Sequence, residues 1–202
     1  MKALSLSDSA RTASLVFDTL LPSTAVSKPR LLPTSAAIVF DATWSWTMTI
    51  LVTGSTGTIG SQVVQRLAAQ NARIRALVRG DTSRAKIPAG VEPFQGDMTD
   101  VASMRTALKG IDTLFLLNAV AADEVTQALG TLDLAREAGI GRIVYFSVFN
   151  SALFDDVPHF AGKYLVERVI DAQAIPATVL RPAYFMQNDL MFRDALKAGI
   201  YL

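Results

Sequence analysis

MTILVTGSTGTIG, residues 48–60, joins a short apolar run to a glycine-rich turn, and SQVVQRLAA, residues 61–69, continues it as a helix. Thr49-Ile50-Leu51-Val52 has the composition of a strand buried on both faces of a parallel sheet. The turn places Gly54, Gly57 and Gly60 three residues apart, with Thr56 before Gly57, and Thr58 and Ile59 after it. Each glycine answers a physical demand. A side chain at Gly54 would block a tight turn, and one at Gly57 would keep the backbone away from a pyrophosphate. One at Gly60 would hold the helix off the strand. The free N–H groups and positive dipole end of the helix then face the phosphates. A strand before and a helix after are the context this fingerprint requires, so the stretch reads as a dinucleotide-binding turn. The plain alternative is a glycine turn with a structural role alone.

Composition narrows the classes of function. At 202 residues the chain can form one sizeable core, and 50% hydrophobic residues make it globular rather than disordered. Nineteen basic against 18 acidic residues leave a net charge of +1. That balance gives no basic excess for nucleic acid and no charge block for a membrane surface. The absence of cysteine removes disulfides, thiol catalysis and cysteine metal sites, and the single histidine, His159, excludes a His-rich metal site. No apolar run reaches the length of a bilayer span. The expectation is a soluble, cytoplasmic protein with neither a nucleic-acid nor a membrane partner.

Residues 1–46 read differently from the rest. They are rich in Ser, Thr and Ala, with Pro22, Pro29 and Pro33 scattered among them and no sustained apolar period. Asp8 and Asp18 interrupt the run that a secretory signal needs, and with Asp41 they count against a transit peptide. The expected division is an extension over residues 1–47, poorly ordered or upstream of the true start, and a dinucleotide-binding domain over 48–202.

From Met48 onward strand and helix patterns alternate, which predicts an α/β fold, a Rossmann-like doubly wound parallel sheet. The second strand, Arg73 to Val78, ends at Arg79, about twenty residues past the glycine turn, where the ribose-reading residue belongs. An acid there would bind the 2′-hydroxyl of NAD(H). An arginine can instead pair with a 2′-phosphate, and Arg84 and Lys86 add positive charge, so NADP(H) is favoured over NAD(H). The plain alternative is a solvated arginine at a strand end. Val91 to Gln95 reads as a third strand, leading through Gly96-Asp97-Met98-Thr99-Asp100 to a helix over Val101 to Leu108. Asp97 in this stretch could be no more than part of a helix cap, which Asp100 could supply alone. Thr113 to Leu117 is a fully apolar, hence central, strand, and Asn118-Ala119-Val120 leaves its C-terminal end, where ligands sit in this architecture. A helix from about Asp123 to Ala138 carries a core stripe of Val125, Leu129, Leu132 and Ala135. Arg142 to Ser147 is the fifth strand, and the sixth lies within Ile175 to Asn188.

The Gly-x-x-Gly-x-x-Gly spacing behind Thr53 resembles the short-chain dehydrogenase/reductase superfamily, in its extended and atypical branches. The resemblance implies that Asp97 faces the adenine amino group with Met98 against the ring. It also implies that Asn118 and Ala119 pass the ribose and nicotinamide side. Ser147 stands where that superfamily places a catalytic serine, and a serine that merely ends a strand fits equally well. Many members carry Tyr-x-x-x-Lys on the next helix, so that both residues share one face. Here the matching stretch is His159-Phe160-Ala161-Gly162-Lys163. Lys163 is placed to hold ribose hydroxyls, and His159 fills the tyrosine position. Tyr164 lies about 100° further round the helix and cannot substitute. His159 could supply a proton, since imidazole titrates near neutrality. The bland readings are a helix-start cap for His159 and a surface ion pair with Glu167 for Lys163.

The glycine turn, Leu77-Val78-Arg79, Lys163 without its tyrosine, and Leu180-Arg181-Pro182-Ala183-Tyr184-Phe185-Met186-Gln187-Asn188 together resemble the NmrA-like family of atypical short-chain reductases. That resemblance covers residues 48–202 and adds Tyr184 to the expected cofactor contacts. Such proteins divide between NADPH-dependent reductases of quinones or azo dyes and non-catalytic NADP-sensing regulators. The resemblance is nearest to the quinone-reductase-like group, with a small-molecule acceptor such as a quinone as partner. Members continue beyond the point matching Leu202, so a truncated C-terminal substrate-binding part and poor or absent turnover are expected. A last helix is predicted over Asp189 to Lys197.

Overall fold

The computed structural model describes residues 48–200, so the extension expected over 1–47 lies outside the described residues. Strand β1 (Thr49–Val52) leads through the glycine turn into helix α1 (Thr58–Ala69). β2 (Arg73–Val78), a single helical turn α2 (Asp81–Arg84) and β3 (Glu92–Gln95) follow. α3 (Val101–Leu108), β4 (Thr113–Leu116), α4 (Glu124–Glu137) and β5 (Arg142–Phe146) come next. The chain continues with α5 (Pro158–Ala172) and β6 (Ala177–Leu180). A 3₁₀ helix (Met186–Phe192) and α6 (Arg193–Lys197) complete the described elements.

The strands form one six-stranded sheet in the order β3-β2-β1-β4-β5-β6, and every pairing is parallel. This is the doubly wound, Rossmann-like architecture that the alternating pattern predicts. The order reverses between β1 and β4, which opens a crevice at the carboxyl ends of these strands.

The apolar runs form strands because both sheet faces are covered. Successive side chains point to opposite faces. Leu51, Leu114, Leu116 and Tyr145 therefore join one core with Met104, Leu108, Leu132, Ala135, Val166 and Ile170 from α3, α4 and α5. Ile50, Val52, Phe115 and Val144 join the other with Val63, Val64 and Leu67 from α1. Each leucine buried in this way contributes about 1.5–3 kcal/mol.

Two segments depart from expectation. On α4 the fully buried residues include Ala128, Thr131, Leu132 and Ala135, with Leu129 only partly buried, and the face also takes in Glu124. The C-terminal segment becomes a 3₁₀ helix before α6 because its apolar side chains find no core. Leu190 and Met191 are 69% and 76% exposed, and short helices depend on packing.

Gly130 lies inside α4, exposed, with nothing within 4 Å of where its Cβ would stand. Gly130→Ala is therefore expected to raise unfolding free energy by about 1 kcal/mol, read as a higher urea midpoint with an unchanged slope.

Candidate functional site

At the carboxyl end of β1, Gly54 has φ +60, and a Cβ there would stand 2.7 Å from the Leu117 carbonyl oxygen. A Cβ on Gly60 would stand 2.1 Å from the Gly54 oxygen. The fold itself excludes side chains at both. Gly57 differs. It is exposed, and its Cβ would meet only the Gly54 oxygen, at 3.4 Å. Gly57 is also the N-cap of α1, so it brings no capping side chain, and the first turn carries no acid. The N–H groups of Thr58, Ile59 and Gly60 have no acceptor among the described residues, as the first turn of a helix requires. Thr58 is exposed, while Thr56 and Ile59 are half-buried, Ile59 packing on the α1 core.

Two buried hydroxyls brace this turn. The Thr53 hydroxyl donates to the Leu117 carbonyl at 2.7 Å and accepts from the Leu117 N–H at 2.9 Å. Ser55 donates to the Leu77 carbonyl at 2.6 Å. The turn is thus tied to the ends of β4 and β2. Sequence reading gave Ser55 no role, since a serine in a glycine turn has no pattern of its own.

Beyond β2, Arg79, Arg84 and Lys86 are all exposed. Across from them, Asp97 Oδ1 accepts from the Thr99 N–H at 2.8 Å and the Thr99 hydroxyl at 2.7 Å. Those bonds, the backbone one foremost, hold its carboxyl below the ordinary aspartate range, and the Arg79 charge adds to them. Asp100, not Asp97, caps α3, accepting from the N–H groups of Ala102 and Ser103. Asp97 is thereby left with an Oδ2 that no described group binds, beside a half-buried Met98.

Lys163 is buried at 4% exposure. Its Nζ donates to Asn118 Oδ1 at 3.0 Å and to the Phe146 carbonyl at 3.3 Å. It lies 3.9 Å from Glu124 Oε2 and 5.3 Å from the Tyr145 ring centre. Burial pushes the Lys163 pKa down, and the Glu124 carboxylate opposes that shift. Asn118 is buried too, and its Nδ2 donates to the Glu124 carbonyl at 2.8 Å. Its amide therefore orients Lys163, while the neighbouring Ala119 is exposed at the rim. His159 Nδ1 lies 2.9 and 3.1 Å from the two Glu124 oxygens. Glu124 thus links His159 and Lys163, and sequence reading missed it. An acid in the first turn of a helix has an ordinary dipole explanation, so only the tertiary contact reveals it.

The surface pair of Lys163 with Glu167 does not form. The Glu167 carboxylate, also buried, accepts instead from the Ser147 hydroxyl and from Arg181, at 3.1 Å from Nε and 2.8 Å from Nη2. Ser151 adds a longer bond at 3.4 Å. Ser147 therefore bonds into the Glu167–Arg181 cluster rather than to His159 or Lys163, with its hydroxyl proton spent on Glu167. Tyr145 offers no acid either: its hydroxyl is buried with no hydrogen-bond partner among the described residues, and burial raises its pKa. Tyr184 is exposed in the loop after β6, and its hydroxyl donates to Asp189 at 2.9 Å. Among the described residues no His, Asp or Glu group could hold a metal ion, and no helix is long and apolar enough to cross a membrane.

A doubly wound parallel sheet with this glycine turn at its switch point defines the class of Rossmann-like, NAD(P)-binding domains. Within that class the chain belongs to the NmrA-like family, whose model matches residues 46–199. It is 32% identical over 151 residues to the NAD(P)H azoreductase of Xenophilus azovorans, a match covering 73% of this chain and 52% of the relative. Among solved structures it is similar to an Escherichia coli NADPH-dependent quinone oxidoreductase complexed with NADPH. That match has a TM-score of 0.68 at 25% identity and covers 75% of this chain and 55% of that one. The Citrobacter sp. triphenylmethane reductase complexed with NADP(H) matches with a TM-score of 0.65 at 27% identity, over 74% and 55% of the two chains. The chain spans about half the length of the curated relatives it matches.

Proposed function

We propose that this chain is the NADP(H)-binding half of a reductase that passes hydride to a quinone or a similar electron-poor acceptor. The observation that carries the reading is the first turn of α1, with its uncapped N–H groups beside an open Gly57, at the switch-point crevice. The residues present fit the cofactor. The N–H groups of Thr58, Ile59 and Gly60 would hold the pyrophosphate, with Thr56 and Gly57 lining its approach. Arg79 would pair with the 2′-phosphate, and Asp97 Oδ2 would accept from the adenine amino group with Met98 beneath the ring. Lys163 has one N–H left after Asn118 and Phe146 are served, which suits a ribose hydroxyl. Ala119 and Tyr184 would border the nicotinamide side. Bound NADPH would supply the hydride, and the chain's own contribution is to bind and orient it. The quinone, azo and dye reductases among its relatives support this chemistry by similarity.

The test is a pair of nicotinamide-fluorescence titrations, with NADPH and with NADH, on the chain and on Arg79→Ala. A charge-assisted phosphate contact contributes about 1.5–3 kcal/mol, so Arg79→Ala should weaken NADPH about 10- to 100-fold and leave NADH nearly unchanged. Equal affinities for both cofactors in the parent chain would refute the NADP(H) assignment. Tight binding without NADPH oxidation by any quinone would favour a sensing protein over a reductase.

A further inference from the structure

We propose that Glu124 and His159 form a proton-delivering couple on the acceptor side of this site, serving a planar quinoid acceptor whose reduction ends with a proton on oxygen. This rests on the reductase reading above. The Glu124 side chain is 8% exposed, and its ionised carboxylate can only accept, so His159 Nδ1 must carry the proton between them. His159 Nε2 has no partner among the described residues, and its side chain is 26% exposed. The ring stands edge-on to Phe160, with centres 5.8 Å apart, and Phe160 stands edge-on to Phe154 at 5.4 Å. Phe154 is 43% exposed, so His159 borders an apolar aromatic ledge of the kind that receives a flat ring. Gly162 makes the couple possible. A Cβ there would stand 2.9 Å from Val125 Cγ2, so its absence lets α5 approach α4 closely enough for Glu124 to reach both His159 and Lys163. Among the described residues the charged and titratable groups facing the couple are Lys163 on α5, whose Nζ donates to Asn118 and the Phe146 carbonyl, and Tyr145 on β5, whose hydroxyl is buried and whose pKa burial raises.

The step balances. The hydride forms a bond to the acceptor, two electrons pass with it, and one acceptor oxygen is left anionic. The His159 imidazolium then loses its Nε2 proton: that N–H bond breaks and an O–H bond forms. The neutral ring keeps its Nδ1 proton against Glu124, and solvent restores the other. In sum, quinone, NADPH and one proton give hydroquinone and NADP⁺.

A cationic triarylmethane dye separates this step from the rest. It takes hydride at its central carbon and becomes neutral, with no proton required. NADPH oxidation by 1,4-naphthoquinone and by crystal violet should therefore be compared in the full chain and in His159→Ala. The quinone rate should fall at least about tenfold more than the dye rate. Equal losses, or none, would overturn the couple. A parent chain that binds NADPH but reduces neither acceptor would refute turnover by this chain alone, and the imidazole tautomer then decides the couple. A second measurement needs no turnover. His159 is the only histidine in the chain, so ¹⁵N spectra of the imidazole report it alone. The neutral ring should hold its proton on Nδ1, and a dominant Nε2–H tautomer would overturn the proposal.

Discussion

Gly60→Val should destabilise the fold by about 3 kcal/mol or more and abolish NADPH binding. The Cβ would stand 2.1 Å from the Gly54 carbonyl oxygen and 3.0 Å from the Ser55 Cα, both backbone atoms that no side-chain rotation relieves. Helix α1 must then move off β1, and it carries Val63, Val64 and Leu67, each buried in the core. Overpacking of this kind costs about 1–3 kcal/mol, and a clash with fixed backbone belongs at or above the upper end. The same movement carries the Thr58, Ile59 and Gly60 N–H groups away from any phosphate. Gly57→Ala is the control. Its φ of −77 suits alanine, and its Cβ meets one atom at an ordinary 3.4 Å, so the urea midpoint should hardly change. Binding should still fall, because that Cβ would stand in the approach proposed for the pyrophosphate. A parent-like midpoint in Gly60→Val would contradict the tight helix–strand contact. Parent-like NADPH affinity in Gly57→Ala would contradict the placement of the phosphates.

That contrast also explains what was legible in the sequence. The glycine turn is local: backbone geometry dictates Gly54 and Gly60 within seven residues of each other, and Gly57 falls midway between them where the fingerprint expects it, so spacing alone carries it. The strands are equally legible, because apolar runs such as Thr113 to Leu116 have no other place than a sheet covered on both faces. The carboxylates are not. Glu124 meets His159 across 35 residues and Lys163 across 39, and nothing in the sequence near Glu124 distinguishes it from an acid at any helix start. Glu167 sits four residues after Lys163, which suggests a surface pair. Burial decides otherwise, since its carboxylate points to Ser147 and Arg181. The Gly162 gap that brings α4 and α5 together is visible only once Val125 is known to face it. Long-range pairing of buried charge is a property of the packed helices, and local pattern contains little of it.

Glu124→Leu should cost about 3–5 kcal/mol near neutral pH, because it leaves the Lys163 ammonium buried without an opposite charge. Among the described residues, Asn118 Oδ1 and the Phe146 carbonyl remain as its hydrogen-bond partners, and both are neutral. The sign of the pH dependence follows from the direction of the shift. Burial already holds the Lys163 pKa below its ordinary 10.5, and Glu124 is the influence that opposes burial. Its removal lowers the folded value further, while the unfolded value stays where it is. Between the two values the unfolded chain binds more protons than the native one, so stability rises with pH across that window. The deficit of Glu124→Leu is therefore greatest below the folded pKa and shrinks as the pH approaches the unfolded value. The double variant Glu124→Leu/Lys163→Met removes both charges and should recover most of the loss at neutral pH with no such pH dependence. Urea unfolding of the parent, both single variants and the double at neutral and at alkaline pH measures the coupling directly. If the single deficits simply add, or if the Glu124→Leu deficit stays constant with pH, the carboxylate stabilises the fold through His159 rather than through its charge on Lys163.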